Sequence, residues 1–401
     1  MRRRMIYGVL GSYYALFFAF LGVWIPYWPL YLANLGADSQ AIGWLMALAL
    51  GIKVLGPPVW GRLADGSSRQ RVTVATSFAT FVAFCLFFAG SSVPFLIFTT
   101  IIFSFFHAGP LPLVEATTME TVTRRGWDYG RIRLWGSVGF IVLALGMGPV
   151  IDGWGMAPVL PILAALLFLT ALLTLALPVF QPPPRSASQQ VPPKLFSLSR
   201  VRWFYFSTLL MQFSHGAYYG FMSIHLQNHG YSKTAIGILW VLGVVAEVAV
   251  MLWSKQLLRR FGLALVLSGS LGLAFFRWGI YAFTLYWPLL VLGQILHAAT
   301  FASFHIAAVR RTFEMAPVHS RATAQAWYSA FSFGIGGGGG LVLSGYLFDL
   351  VGAEKLFALM AAAAALGIFA SLRSCAGFDA AAQVTALAPS MVDTQAKGPG
   401  A

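Results

Sequence analysis

Two charged residues stand inside apolar runs in the first half of the chain. Glu115 lies in PLPLVEATT and Arg133 in YGRIRLWGSVG, with a basic turn at Arg124 and Arg125 between them. At ~1.5 Å of helix rise per residue, Glu115 lies roughly 14 Å before that turn and Arg133 roughly 12 Å after it. If the two runs are antiparallel membrane helices, acid and base reach similar depth and can pair. An ionisable group inside a bilayer costs at least ~2.5–3.5 kcal/mol, so it reads as functional and needs a partner. A pair that only joins two helices is the plainer alternative. Buried pairs stabilise little against apolar replacements, which favours substrate contact. Arg131 faces elsewhere and snorkels or meets the loop.

The second half holds a matching set. Glu247 lies roughly 12 Å in from Lys255, and Arg277 roughly 22 Å in from Gly262. His215 and His297 fall about midway along their runs, so in a membrane bundle all four would approach its centre, where buried polar groups find partners. Gln294 and His297 share one helix face. Burial and a neighbouring arginine act oppositely on a carboxyl, and one that alternates between those settings carries a proton. Glu247 is the first candidate for proton coupling, with His297 and His215 next, since histidine titrates near ~6.5. Neutral polar packing is the alternative for either histidine. Lys53, midway along its run, either attracts an anionic substrate or pairs with a carbonyl freed near Pro57 and Pro58. Tyr13, Tyr14 and Phe17 either line an aromatic pocket or pack against neighbouring helices.

The elements that must position these groups follow from composition. Of 401 residues, 58% are hydrophobic and only 9% charged, against roughly 25% charge in a soluble chain. The fold class is therefore an all-α polytopic membrane protein. Twelve apolar segments can be drawn near 5–33, 39–60, 71–90, 93–122, 129–151, 155–179, 201–228, 232–255, 263–283, 285–310, 322–348 and 353–373, each close to the ~20 residues a crossing needs. One set of segment ends carries Arg2 to Arg4, Arg62, Arg69, Arg71, Arg124, Arg125, Arg185, Lys194, Arg200, Arg202, Lys255, Arg259, Arg260, Arg310, Arg311, Arg321 and Arg373; the other carries only Lys233 and Lys355. The positive-inside rule makes the basic set cytoplasmic, with both termini inside. The net charge of +14 is thus a matter of membrane orientation, not nucleic-acid binding. A Pro- and Ser-rich stretch splits the chain into six segments and six. The expected domains are 1–180, a cytoplasmic linker over 181–200, 201–375, and a disordered tail over 376–401. MRRRM leads into a run too long and aromatic for a cleaved signal. Cys85 and Cys375 lack metal spacing, so neither a disulfide framework, a metal site nor a cofactor is expected. The glycines from Gly334 to Gly340 lack the strand and the Lys-Ser/Thr of a phosphate loop and read as a packing seam or hinge.

Gly61-Arg62-Leu63-Ala64-Asp65, followed by Arg69 and Arg71, resembles the loop motif of the major facilitator superfamily. That resemblance implies that the acid and the basic residues bind neighbouring helix ends as a latch in alternating access. Gly66-Ser67-Ser68 departs from the family pattern. Val114-Glu115-Ala116, the step to Arg133, and Tyr129-Gly130-Arg131-Ile132-Arg133-Leu134-Trp135-Gly136 resemble the fourth and fifth helices of lactose permease and its relatives, with the phenylpropionate permease branch nearest. This implies substrate contact at Glu115 and Arg133, with Phe140 where the sugar permease stacks a tryptophan. The step from Arg277 to His297 also keeps the family's arginine-to-histidine spacing. The sugar permease's proton-carrying carboxylate falls on Thr300 here and its lysine on Gln294, so its relay cannot be carried over.

The resulting expectation is two pseudo-symmetric six-helix bundles rocking about one central site in a bacterial inner membrane. The buried cations Arg133, Arg277 and Lys53 outweigh the acids, and aromatics surround them, which favours an aromatic monocarboxylate. A guanidinium can take a carboxylate bidentately. Substrate-binding residues are Glu115, Arg133, Phe140, Arg277, His297, Lys53, Tyr14 and His215; the resemblance implies uptake with protons. The partners are a small organic substrate, protons and the bilayer, and nothing requires more than a monomer. An oligosaccharide or nucleoside permease is the nearest rival, then a drug exporter (Gly148-Pro149). A membrane enzyme lacks a convergent nucleophile and base, and a sensor lacks an output domain.

Overall fold

The structure, a computed structural model, describes residues 3–180, 198–316 and 321–387. Among these residues the regular elements are helical. In chain order they are α1 (Arg3–Asn34), α2 (Ser39–Asp65), α3 (Arg69–Cys85), α4 (Val93–His107), α5 (Pro110–Arg125), α6 (Tyr129–Trp154) and α7 (Val159–Thr174). The second half supplies α8 (Ser199–Ser214), α9 (Gly216–Asn228), α10 (Lys233–Leu252), α11 (Ser254–Phe283), α12 (Trp287–Ala298), α13 (Phe304–Met315), α14 (Arg321–Ser329), α15 (Gly338–Val351) and α16 (Ala353–Leu387).

Ten stretches among the described residues are long and apolar enough to cross a bilayer, including Val93–Arg125, Trp287–Met315 and Thr323–Val351, each built from two of these helices. The short apolar α7 and the pair α8 and α9, divided at His215, complete twelve crossings. Lipid offers backbone groups no partner, so breaks at this depth are tolerated only where protein surrounds them. The break at His215 is fully buried. Two crossings instead pass through π-helical stretches, Ala299–Ser303 and Ala330–Gly337, a distortion common at functional sites.

Local chemistry explains the ends. Gly126 takes the left-handed conformation (φ 63°) that closes α5, as only glycine does at no steric cost. Asp128 then caps α6 through Gly130 N at 2.7 Å. Asp38 caps α2 through Ala41 N at 2.7 Å, satisfying an N-terminal amide.

Part of the linker expected over 181–200 lies outside the described residues, and α8 begins at Ser199. The tail expected to be disordered from 376 is helical to Leu387; residues beyond that lie outside the described range. An Ala-rich sequence has the highest helix propensity, which is why α16 runs on past the apolar segment.

The two halves are tied together at the end remote from the basic loops. Asp152 at the end of α6 accepts from Lys233 N (2.8 Å), Thr234 N (2.9 Å) and Thr234 Oγ1 (2.7 Å) at the start of α10. Ser39 Oγ donates to Asp349 Oδ1 at 2.8 Å, and Trp44 Nε1 to Tyr346 OH at 3.3 Å. Between these ties α2 and α15 meet backbone to backbone: a Cβ on Gly43 would strike Leu341 O, and one on Gly345 would strike Ser39 O. The basic half of α2 instead leaves Leu55, Val59 and Leu63 exposed.

Candidate functional site

A cavity of about 240 Å3 lies between the halves. α1 contributes Leu21, Trp24 and Ile25, α2 contributes Lys53, and the second half contributes Gln212, Tyr219, Phe301 and Phe333. The wall is mostly apolar. Lys53 is its one charged lining residue, and its ammonium shows no ion pair among the described residues. Gln212 is buried, and its Nε2 has no hydrogen-bond partner. A buried donor left unmade costs ~1–3 kcal/mol unless something fills it. A cation and an unused amide N–H in one apolar chamber are the donor set that a carboxylate with an apolar body requires.

Behind two of these walls runs a buried chain of charged groups. Arg277 is fully buried. Its Nε donates to Gly293 O at 2.8 Å, and its Nη1 lies 2.9 Å from His297 Nδ1 and 3.3 Å from Thr300 Oγ1. The guanidinium also sits over the rings of Tyr218 (4.3 Å) and Trp278 (4.4 Å), where the ring faces offset its charge. His297 Nε2 then reaches Glu247 Oε1 at 2.7 Å. Arginine donates and never accepts, so Nδ1 of His297 is the acceptor. The neutral ring therefore carries its hydrogen on Nε2 and donates it to Glu247. Arg277 thus sets the tautomer of His297, and Glu247 stands at the end of the chain.

The chain touches the cavity through aromatic rings. Phe301 stacks on His297 at 5.4 Å between centroids, and Tyr219 lies edge-on at 6.2 Å. Tyr218 OH donates to Gln294 Oε1 at 2.8 Å, which fixes the helix face shared by Gln294 and His297. His215 donates through Nδ1 to Met211 O at 2.8 Å and packs edge-on against Trp278 at 4.9 Å. Its ring thus braces the α8–α9 break beside the chain.

Glu115 and Arg133 come together differently. Both are half-buried, and each interacts with Tyr129 and with the other's charge. They form no ion pair within 4.0 Å among the described residues, so the direct pairing expected from depth alone is corrected. Spacing along a helix does not fix where a long side chain turns, and both side chains turn to Tyr129. Arg133 lies instead over Phe18 at 3.8 Å and near Tyr14 at 5.6 Å. Tyr14 is fully buried, and its OH donates to Thr118 Oγ1 at 3.3 Å. This cluster is not part of the cavity wall; it stands nearer the basic end of α1. Phe140 packs with Ala144 and Val241 at the crossing of α1, α6 and α10; it backs Leu21 and Ile25 of the cavity wall without lining the cavity itself.

In the loop motif, Arg69 Nη1 binds Glu120 Oε2 of α5 at 3.1 Å, and Arg124 closes on the other oxygen at 2.6 Å. Ser68 Oγ caps α3 at Arg71 N (3.5 Å). Gly61 opens the last turn of α2, and Asp65 is exposed. Nothing in the sequence marks Gln212, Phe301 and Phe333 as site residues, because an apolar crossing gives no signal that separates cavity-facing from helix-facing positions.

The comparisons agree with this architecture. A probable 3-phenylpropionic acid transporter of Escherichia coli (strain K12) is 32% identical over 365 residues, covering 89% of this chain and 95% of the relative. The maltose permease of Geobacillus stearothermophilus is 28% identical, over 86% of this chain and 89% of its own. The crystal structure of the nucleoside transporter NupG superposes with a TM-score of 0.77 at 22% identity, covering 92% of this chain and 98% of that one. The profile of the MFS_1 like family matches residues 7–359. With this match over most of its length, and twelve crossings with a cavity between the halves, the chain is a member of the MFS_1 like family of membrane transporters, not an enzyme.

Proposed function

We propose that this transporter takes up small aromatic or similarly apolar monocarboxylates together with protons, by alternating access, across a bacterial inner membrane with its basic loops and termini inside. The observation that carries the substrate class is the cavity: aromatic walls, one unpaired cation in Lys53 and one unused donor in Gln212. At about 240 Å3 it lies below the roughly 300–1,000 Å3 of drug-sized sites. Few polar groups line it, which does not suit a disaccharide's many hydroxyls. The similarity to a probable 3-phenylpropionic acid transporter supports the same class. Arg133, with Glu115 and Tyr14, stands toward the basic end and takes the carboxylate on its way out of the cavity. Glu247, His297 and Arg277 couple the proton, since the state of Glu247 reaches the cavity through Phe301 and Tyr219. A single chain holds all of these parts, so a monomer suffices.

The test is uptake of labelled 3-phenylpropionate into proteoliposomes, with and without an inward proton gradient, for wild type and Lys53→Met. Gradient-driven accumulation that fails in the variant supports both the substrate class and its anchor. Equilibration without accumulation removes the proton role from Glu247. No transport by folded protein overturns the aromatic-acid reading and moves sugars and nucleosides to the front.

A further inference from the structure

Away from the cavity, at the end opposite the basic loops, three ligand-type side chains meet. His225 in α9 and His229 just beyond it are spaced i, i+4, which places them on one helix face. Glu354 in the first turn of α16 faces them, and the nearest ligand atoms of all three lie within 4.8 Å of one another. The imidazole centroids are 4.6 Å apart. We propose that His225, His229 and Glu354 bind a divalent transition-metal ion of the zinc class.

Three observations support this beyond proximity. His225 is 2% exposed, and its Nε2 is buried with no hydrogen-bond partner. An imidazole nitrogen so placed is costly unless a ligand satisfies it. His229 Nδ1 lies 2.9 Å from His225 O. A carbonyl only accepts, so Nδ1 of His229 carries the hydrogen, and Nε2 presents its lone pair outward. A ring held by its other nitrogen on a backbone carbonyl is the usual outer-shell arrangement of a metal-bound histidine. Two imidazoles and one carboxylate are also a common zinc donor set, with a fourth position left for water. Zinc ligands sit at ~2.0–2.2 Å from the ion, so the three atoms must draw closer together. His229 and Glu354 are both exposed, and their side chains are free to turn inward on the fixed His225. An N,N,O set suits zinc, copper and nickel better than magnesium or calcium. A bound ion would join the end of α9, which also carries the cavity residue Tyr219, to the start of α16.

Titration of purified full-length protein with zinc chloride against a chromogenic chelator tests this. Wild type is expected to take up one zinc ion that His229→Ala and Glu354→Gln each bind at least ~10-fold more weakly, the loss that even an outer-shell change produces. Both positions are exposed, so neither variant should be lost to misfolding as His225→Gln could be. Zinc should also raise the unfolding temperature of wild type and not that of the double variant, as binding to the folded state alone requires. Equal zinc affinity in wild type and the double variant, or no zinc uptake by either, overturns the site.

Discussion

The proton-coupling role proposed for Glu247 depends on the two residues behind it. Because Arg277 occupies Nδ1 of His297 at 2.9 Å, the imidazole donates to the carboxyl through Nε2 at 2.7 Å. Glu247→Gln keeps the shape and removes the exchangeable charge. The expected outcome is retained counterflow of unlabelled against labelled substrate, with accumulation under a proton gradient abolished. Loss of both activities would mean that Glu247 serves binding and not coupling. Lys53 makes the opposite prediction. Truncating it removes a charge-assisted hydrogen bond worth ~1.5–3 kcal/mol, so Lys53→Met should weaken carboxylate binding by roughly ten- to a hundredfold. Binding of an uncharged aromatic amide should change little, and equilibrium binding of both ligands decides it.

At the scale of elements, the glycines carry the mechanical load. The seam between α2 and α15 closes only because Gly43 and Gly345 bring two backbones together, as small residues do between membrane helices. Gly345→Leu should hold that seam apart, making a cysteine at Gln40 react faster with a membrane-impermeant maleimide from that side. An unchanged rate would show that the seam is not where the halves separate. Two of the glycines beyond Gly334 do the same against α8, with Gly336 lying on the backbone of Leu209 and Gly340 on that of Phe213. This level was the most legible in the sequence. A bilayer forces long apolar runs and sorts basic residues to one side, so the twelve crossings could be drawn from hydropathy and loop charge. Lys53, Glu247, Arg277 and His297 were visible because ionisable groups are rare at that depth. Side-chain direction was not visible, so Glu115 and Arg133 come together around Tyr129 without the direct pair that spacing suggested. The meeting of His225 with Glu354 was equally hidden. The i, i+4 spacing of His225 and His229 went unread, and Glu354 lies in the last crossing.

For the whole molecule, alternating access requires that ties at one end of the bundle break as others form. The ties described above stand at the end remote from the basic loops, and Asp152 makes the most hydrogen bonds among them. It takes three hydrogen bonds from the first turn of α10, a helix N-terminus whose free amides and dipole favour an anion. Each charged hydrogen bond is worth ~1.5–3 kcal/mol. Losing even one shifts the ratio of closed to open forms by roughly tenfold or more. Asp152→Ala, together with Ser39→Ala at the other tie, should therefore populate a form open at this end. Spin labels at Gln40 and Leu350, in a background lacking Cys85 and Cys375, would read it as a longer-distance population absent from wild type. If the distance distribution stays that of wild type, backbone packing of α2 on α15 holds the closed form, and the hydrogen bonds serve only its register.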